Sequence, residues 1–311
     1  MIKPNRYPGR QTGVALVTVL WFLVLLSVLG FGFSKSMRME IKIARNLLDS
    51  VHARHLADGA VERGIYELLK PVANEQDAVL LGVPIYFGFD GAKLSFTIRD
   101  ERGKIDLNRA SPELLEGLFL VLGAEPDRAT SLADAIVDWR DENDLRQLNG
   151  AEEADYQGAG LDIIPSNAPF RSTVELQQVL GMDTQLYNKA LPNITVHSFS
   201  GNINPQSASQ EVLLALPNID VSQVENYTEE RANLSEEDSQ LSLPILPDAS
   251  GLTTDQAGPV YSIEGRVTLA SGATTARELT IWIPDRNADV PFYILNSQTI
   301  VPQETEQGLE Q

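Results

Sequence analysis

The sequence predicts an α+β protein. A long N-terminal helix, half transmembrane and half amphipathic, packs on an antiparallel sheet, and a large, mainly helical domain is inserted between the strands. Three observations carry this. Twenty uncharged residues, Val14 to Phe33, follow a short basic head. Apolar residues then continue at helical spacing with no proline until Pro71. Strand-like alternation appears near residue 94 and returns only after residue 260, with helical patterns between.

The head, residues 1–13, holds Lys3, Arg6 and Arg10 and no acid. Val14–Phe33 has the roughly 20 apolar residues a membrane helix needs. A secretory signal has an apolar run of about 7–15 residues, and Gly30-Phe31-Gly32 offers a small-x-small cleavage site as the competing reading. The basic side stays cytoplasmic, which places everything after Phe33 outside the cytoplasm. Beyond Ser34, Met37, Ile41, Ala44, Leu48, Val51, Leu56, Ala60, Tyr66 and Leu69 mark one helical face. One helix from Val14 to Lys70 would be about 85 Å long.

After Pro71 comes a mixed segment, then residues 92–108, where Leu94, Phe96 and Ile98 alternate with polar neighbours as in a half-buried strand. Helical patterns run from Ser111 to about Ala190, and a polar, acidic stretch from Glu225 to Asp238. Strand patterns return at 260–269, 277–284 and 292–301, ahead of a polar tail expected to be disordered.

Two related phrases stand inside the insertion: GKIDLNRASPELLEGL from Gly103 and GNINPQSASQEVLLAL from Gly201. Ser111 is placed to cap a helix with Pro112 at its first position, and Ser209 or Ser207 to cap the second. The phrases resemble helix-hairpin-helix modules, which suggests DNA capture by a membrane-anchored periplasmic module. Such modules hold phosphate on a Gly-rich turn of backbone amides with nearby cations. The turns here read LGAEPDRA (122–129) and LPNIDVSQ (216–223), one with a single Gly and two acids, the other with no Gly. Charge argues the same way. The chain has 24 Lys+Arg against 43 Asp+Glu, a net −19; removing the three cations of the head leaves −22 for the part after Phe33. A body so acidic repels phosphate backbones and suits protein partners or divalent cations.

The segment 138–156 concentrates seven acids in nineteen positions, with Arg140 and Arg146 its only cations. Asp138, Asp141, Glu142 and Asp144 come at short spacing, Asn149-Gly150 marks a turn, and Glu152, Glu153 and Asp155 follow. Calcium takes six to eight oxygen ligands, often carboxylates on a flexible loop. The spacing is not that of an EF-hand, and a solvated acidic loop is the plain alternative. His52 and His55 have no evident third ligand. There is no cysteine, and no Walker, dinucleotide or nucleophile-elbow motif points to an enzyme.

The residues Arg10-Gln11-Thr12-Gly13-Val14-Ala15-Leu16-Val17-Thr18 resemble a type IV prepilin leader junction. The resemblance implies cleavage between Gly13 and Val14 by a prepilin peptidase, methylation of the new Val14 amine, and retention of the apolar run as anchor and filament core. The family has Glu at the fifth mature position; this chain has Thr18. That departure and the helical insertion resemble the K-type minor pseudopilins of type II secretion systems. The resemblance implies residence in the inner membrane of a Gram-negative bacterium, with one span and a periplasmic C-terminal domain near the tip of the pseudopilus. It implies as partners other minor pseudopilins, the major pseudopilin and the inner-membrane secretion platform. It also implies calcium in the helical domain, for which Asp138, Asp141, Asp144, Glu152, Glu153 and Asp155 are the candidate ligands. The expected division is leader 1–13, span 14–33, amphipathic helix and first pilin-like part 34–105, helical insertion 106–240, C-terminal strands 241–301 and tail 302–311.

Overall fold

A computed structural model describes residues 14–71, 79–235, 238, 242–247, 250–285 and 288–300. The chain separates into two units, one ending at His52 and the other beginning at Ala53. Helix α1, Val14–Leu69, supplies the described part of the first and the opening of the second.

In the first unit the side chains of Val14–Phe33 are all exposed, and the stretch is long and apolar enough to cross a membrane. Its two hydroxyl residues are satisfied inside the helix. Thr18 Oγ1 donates to the Ala15 and Val14 carbonyls at 2.9 and 3.2 Å, and Ser27 Oγ donates to the Leu23 carbonyl at 2.7 Å. Such back-bonding lets a hydroxyl enter hydrocarbon without an unpaired donor.

The second unit contains a five-stranded antiparallel sheet in the order β1-β2-β5-β6-β7: β1 Ile85–Phe89, β2 Ala92–Asp100, β5 Val260–Thr268, β6 Thr274–Trp282 and β7 Tyr293–Ile300. The alternation at Leu94, Phe96 and Ile98 does face a core, and these residues stand opposite Val267, Gly265 and Ile263. The last turns of α1 cover that face with Ala53, Ala57, Ala60, Val61, Gly64 and Ile65. This stripe differs from the expected one. Of the expected face Ala60 is buried and Leu56 and Leu69 pack half-buried against the core, but Tyr66 is 61% exposed, and Met37, Ile41, Leu48 and Val51 are exposed too. The cause is close approach. A side chain at Gly265 would begin 2.5 Å from the Ala57 carbonyl oxygen and 2.8 Å from Val61 N, so small residues line the contact where large ones would hold helix and sheet apart. Arg277 on β6 adds a 2.9 Å ion pair to Asp58.

The sheet is interrupted between Asp100 and Val260, a wider gap than 106–240. Ile105 and Leu246 both lie in the hydrophobic core of the inserted domain, and Thr253 bridges Ile203. The insertion holds the short parallel pair β3 (Ile105–Asp106) and β4 (Ile194–Thr195). Its helices are α2 Pro112–Val121, α3 Pro126–Arg140, α4 Glu153–Gly158, α5 Thr184–Ala190, α6 Gln210–Leu214 and α7 Val221–Ala232. Ser111 caps α2 by accepting from Leu114 N at 3.3 Å, and Ser209 caps α6 by accepting from Val212 N at 3.1 Å. Ser207 instead accepts from Asp100 N.

The two phrases pack reciprocally. Gly103, which opens the first, lies against Ser207, seventh in the second; Gly201, which opens the second, lies against the carbonyl of Arg109, seventh in the first. Gly117 and Ala215, fifteenth in each, meet each other. Asp106 and Asn204, fourth in each, both accept from the amide two residues on (2.8 and 3.0 Å).

A polar knot at the end of β2 joins insertion to sheet. Asp100 accepts from Arg102 N, Asn204 Nδ2 and Gly258 N at 2.9–3.0 Å. Burial pushes its carboxyl up from the usual range, against the pull of those donors. Glu101, 3% exposed, accepts from Ser262 on the sheet, from Thr195 on β4 and from Lys104 Nζ at 2.7 Å. Burial alone would raise its pKa, but the Lys104 charge and the three donors carry it below the ordinary value.

Candidate functional site

Two places carry candidate chemistry. At the first, Gly13 lies outside the described residues with the rest of the leader, Val14 is the first residue of α1, and Thr18 is one turn on, bonded to its own helix.

The second is the loop after α3. Asp138 sits in the last turn of that helix and is fully buried. The Asn149-Gly150 turn folds over it. Gly150 packs directly on Asp138 Oδ2, and Gln147 N donates to both Asp138 oxygens at 3.0 and 3.2 Å. One turn earlier, Asp134 Oδ2 accepts from Asn149 N at 3.0 Å and so pins the same turn. Asp134 was not among the candidates, although its i, i+4 spacing to Asp138 puts both on one helix face.

Glu152 stands at the N-cap of α4 and is 9% exposed, and its Oε1 has no hydrogen-bond partner. Burial first, then the charges of Asp138, Asp141, Asp144 and Asp155, push its pKa up to about 7. Asp138 is raised as well, by burial and by Asp141 and Asp134 against the backbone donors. The structure therefore brings five of the six candidates into one electrostatic neighbourhood. Glu153 is exposed and accepts from Gln157 on its own helix. The other acids are held locally: Asp141 accepts from Asn143 N, Asp144 from Asn167 Nδ2, and Asp155 from Glu152 N and Arg146. Behind the loop Tyr156, Trp139 and Phe170 form an aromatic wall, with Trp139 and Phe170 stacked at 5.9 Å. Tyr156 accepts from Leu180 N, and burial pushes its phenol up to about 12.

Among the described residues, no three His, Asp or Glu side chains converge closely enough as they stand to hold a metal ion. The donor set nonetheless suits a hard cation. It is all oxygen, it includes a buried carboxylate oxygen with no partner, and one ion pair, Arg146 to Asp155 at 3.1 Å, offsets it.

The model of the family described as type II secretion system (T2SS), protein K matches residues 96–198, which span the last part of β2, Asp100 and Glu101 of the polar knot, helices α2 to α5 and the acidic loop. Type II secretion system protein K of Aeromonas hydrophila is 28% identical over 240 residues, 68% of this chain and 72% of that protein. Its namesake from Klebsiella pneumoniae is 27% identical over 228 residues (66% and 70%), and that from Pseudomonas aeruginosa 25% identical over 275 residues (81% and 82%). The chain is thus similar to type II secretion system protein K over most of its length. A chain in the crystal structure of the GspK–GspI–GspJ complex from enterotoxigenic Escherichia coli shares the fold of this chain, with a TM-score of 0.51 at 19% identity, over 86% of this chain and 99% of that one. The family is a structural pseudopilin component of the secretion apparatus, not a known enzyme. The DNA-binding alternative finds no support in these relatives.

Proposed function

We propose that this protein works as a K-type minor pseudopilin at the tip of the periplasmic pseudopilus, where it initiates or caps assembly for protein export across the outer membrane. What supports the tip position is Thr18. A subunit inside the filament uses a carboxylate at the fifth mature position to meet a neighbour's terminal amine. A subunit with nothing above it has no amine to meet, and an unpaired charge there costs roughly 2.5–3.5 kcal/mol at a bilayer centre on insertion scales. Thr18 closes its hydrogen bond on its own helix instead. The insertion between Asp100 and Val260 is bulk that a capping subunit accommodates and a stacked one does not.

In this reading the peptidase cuts after Gly13 and methylates Val14. The anchor then leaves the bilayer by packing against like helices, since hydrocarbon and a bundle of apolar helices exclude water equally. GspI- and GspJ-type minor pseudopilins are the neighbours suggested by the complex that shares the fold. The major pseudopilin and the inner-membrane platform complete the partners. The test compares secretion and filament assembly for wild type, Thr18→Val and Thr18→Glu at matched expression. The tip position predicts tolerance of Val and no gain from Glu. A clear gain from Glu, or collapse with Val, contradicts it.

Calcium belongs to the same proposal. Asp138, Asp141, Asp144, Glu152 and Asp155 would hold it, and the ion would supply the positive charge their cluster lacks, closing the loop over the end of α3. Terbium is the probe, because Trp139 adjoins Asp138 and can sensitise its emission. Sensitised emission displaced by calcium is the expected result. Absence of emission with Asp138 and Glu152 intact removes the calcium claim and leaves the filament claim standing.

A further inference from the structure

Just beyond the apolar run, α1 carries Lys35, Arg38, Lys42 and Arg45, all exposed and none in an ion pair among the described residues. At 3.6 residues per turn the four fall within a sector of about 80° and extend about 15 Å along the axis. Glu40, the one acid between Ser34 and Leu48, lies on the opposite side. The next charge in the same sector is Asp49, so the basic character stops there. Four unpaired cations on one face are out of keeping with a chain of net charge −19. They also run against the usual bias, which leaves Lys and Arg on the side of a span that is not translocated.

We infer that Lys35, Arg38, Lys42 and Arg45 form a stripe that binds the anionic headgroups of phospholipids where α1 leaves the bilayer. The inference rests on the reading of Val14–Phe33 as a membrane span. Continuity selects lipid over an acidic protein. Lys35 stands two residues past Phe33, which puts it at the level of the headgroups, a layer of roughly 5–8 Å on each side of the hydrocarbon. Arg38 follows one turn out, and its long stem reaches back toward the same phosphates. Lys42, about 13 Å past Phe33 along the axis, stands within a screening length of the layer, about 8 Å at physiological salt, and Arg45, about 18 Å past Phe33, stands beyond it. A tilt of the ordinary size, about 20°, toward the basic side brings them nearer. A one-sided stripe thus sets the direction in which α1 leans, and it holds the anchor in an orientation before assembly.

The chain has no cysteine, so one introduced cysteine takes a spin label without ambiguity. Asn46→Cys reports from beside the stripe, and Ala44→Cys from the far face. The full-length protein is placed in nanodiscs of phosphatidylcholine alone or with phosphatidylglycerol, and collision with a water-soluble paramagnetic reagent is measured. The expected result is that phosphatidylglycerol lowers accessibility severalfold at position 46 and leaves position 44 unchanged. The difference should vanish in high salt and in the combined Lys35→Gln, Arg38→Gln, Lys42→Gln, Arg45→Gln variant. Equal accessibility in both lipids overturns the inference. So does shielding that needs a second pilin-like subunit, which would make the stripe a protein contact. Failure of the underlying span reading looks different, because the chain would then wash off discs of either composition.

Discussion

Among the acids buried in the second unit, Asp100 with Glu101 and Asp138 with Glu152 form two pairs that differ in one respect. At the knot, Asp100 and Glu101 have donors on every side, from the sheet, β4 and the helical domain, and Lys104 balances the charge. At the loop, Asp138 is capped by backbone donors, but Glu152 keeps a buried oxygen with no partner and faces four other acids. Burial drives the carboxyl pKa upward in both places; at Glu101 the partners reverse the shift, and at Glu152 the neighbours enlarge it. A satisfied acid pair is a joint. An acid cluster left one partner short is where an added cation has something to gain.

The contrast breaks most visibly at the knot. Glu101→Ala leaves Lys104, Ser262 and Thr195 facing an empty site, and it should destabilise the second unit by about 3–5 kcal/mol, the usual cost of breaking a buried pair. Denaturant unfolding should show that loss with and without calcium. Dependence of the loss on calcium would mean that knot and loop are one system. At the loop, calcium at a hundredfold excess over its dissociation constant should add about 2.7 kcal/mol and raise Tm. Asp138→Asn with Glu152→Gln should abolish the rise.

A smaller effect separates the two by pH. Glu152 has a folded pKa of about 7 against an ordinary value of 4.5. Between those values the folded state holds the proton more tightly than the unfolded chain does, so this group's contribution to stability falls as pH rises from 4.5 toward 7. Glu101 is shifted the other way, so its contribution is present above its unfolded pKa and is lost as pH falls through the folded one. Without calcium, Glu152→Gln should therefore narrow the stability gap between pH 5 and pH 8; an unchanged profile contradicts the assigned environment. Calcium binding, which needs the carboxylate ionised, should strengthen over the same rise. The smallest effect is expected at Glu153, which is exposed and bonded to its own helix. Glu153→Gln should change stability by less than about 0.5 kcal/mol and leave the calcium response intact.

Local chemistry was legible in the residues themselves. Ser111 before Pro112 announced a capped helix, and Leu94, Phe96 and Ile98 announced a strand. What was hidden depended on partners far along the chain. Four of the six residues in the packing stripe of α1 are Ala or Gly, and nothing in those four distinguishes a contact from a bland face until Gly265 arrives from the far side of the insertion. The stretch 225–238 read only as polar and acidic, yet most of it belongs to α7, which buries Val224 and Tyr227. Strand β1 hid in a mixed segment because only five residues pair. At the loop, clustering of acids was visible, but which of them is buried depends on the Asn149-Gly150 turn folding back over α3.

The account as a whole turns on the start of the mature protein. Mass spectrometry of the N-terminus, from protein made in a cell with an active type II secretion apparatus, reads it directly. The account predicts a chain that begins at Val14 with a methylated amine. It also predicts that Gly13→Leu leaves the protein at full length in the membrane. A mature chain beginning at Met1 or at Phe33, or a Gly13→Leu variant that reaches the wild-type mass, would contradict it.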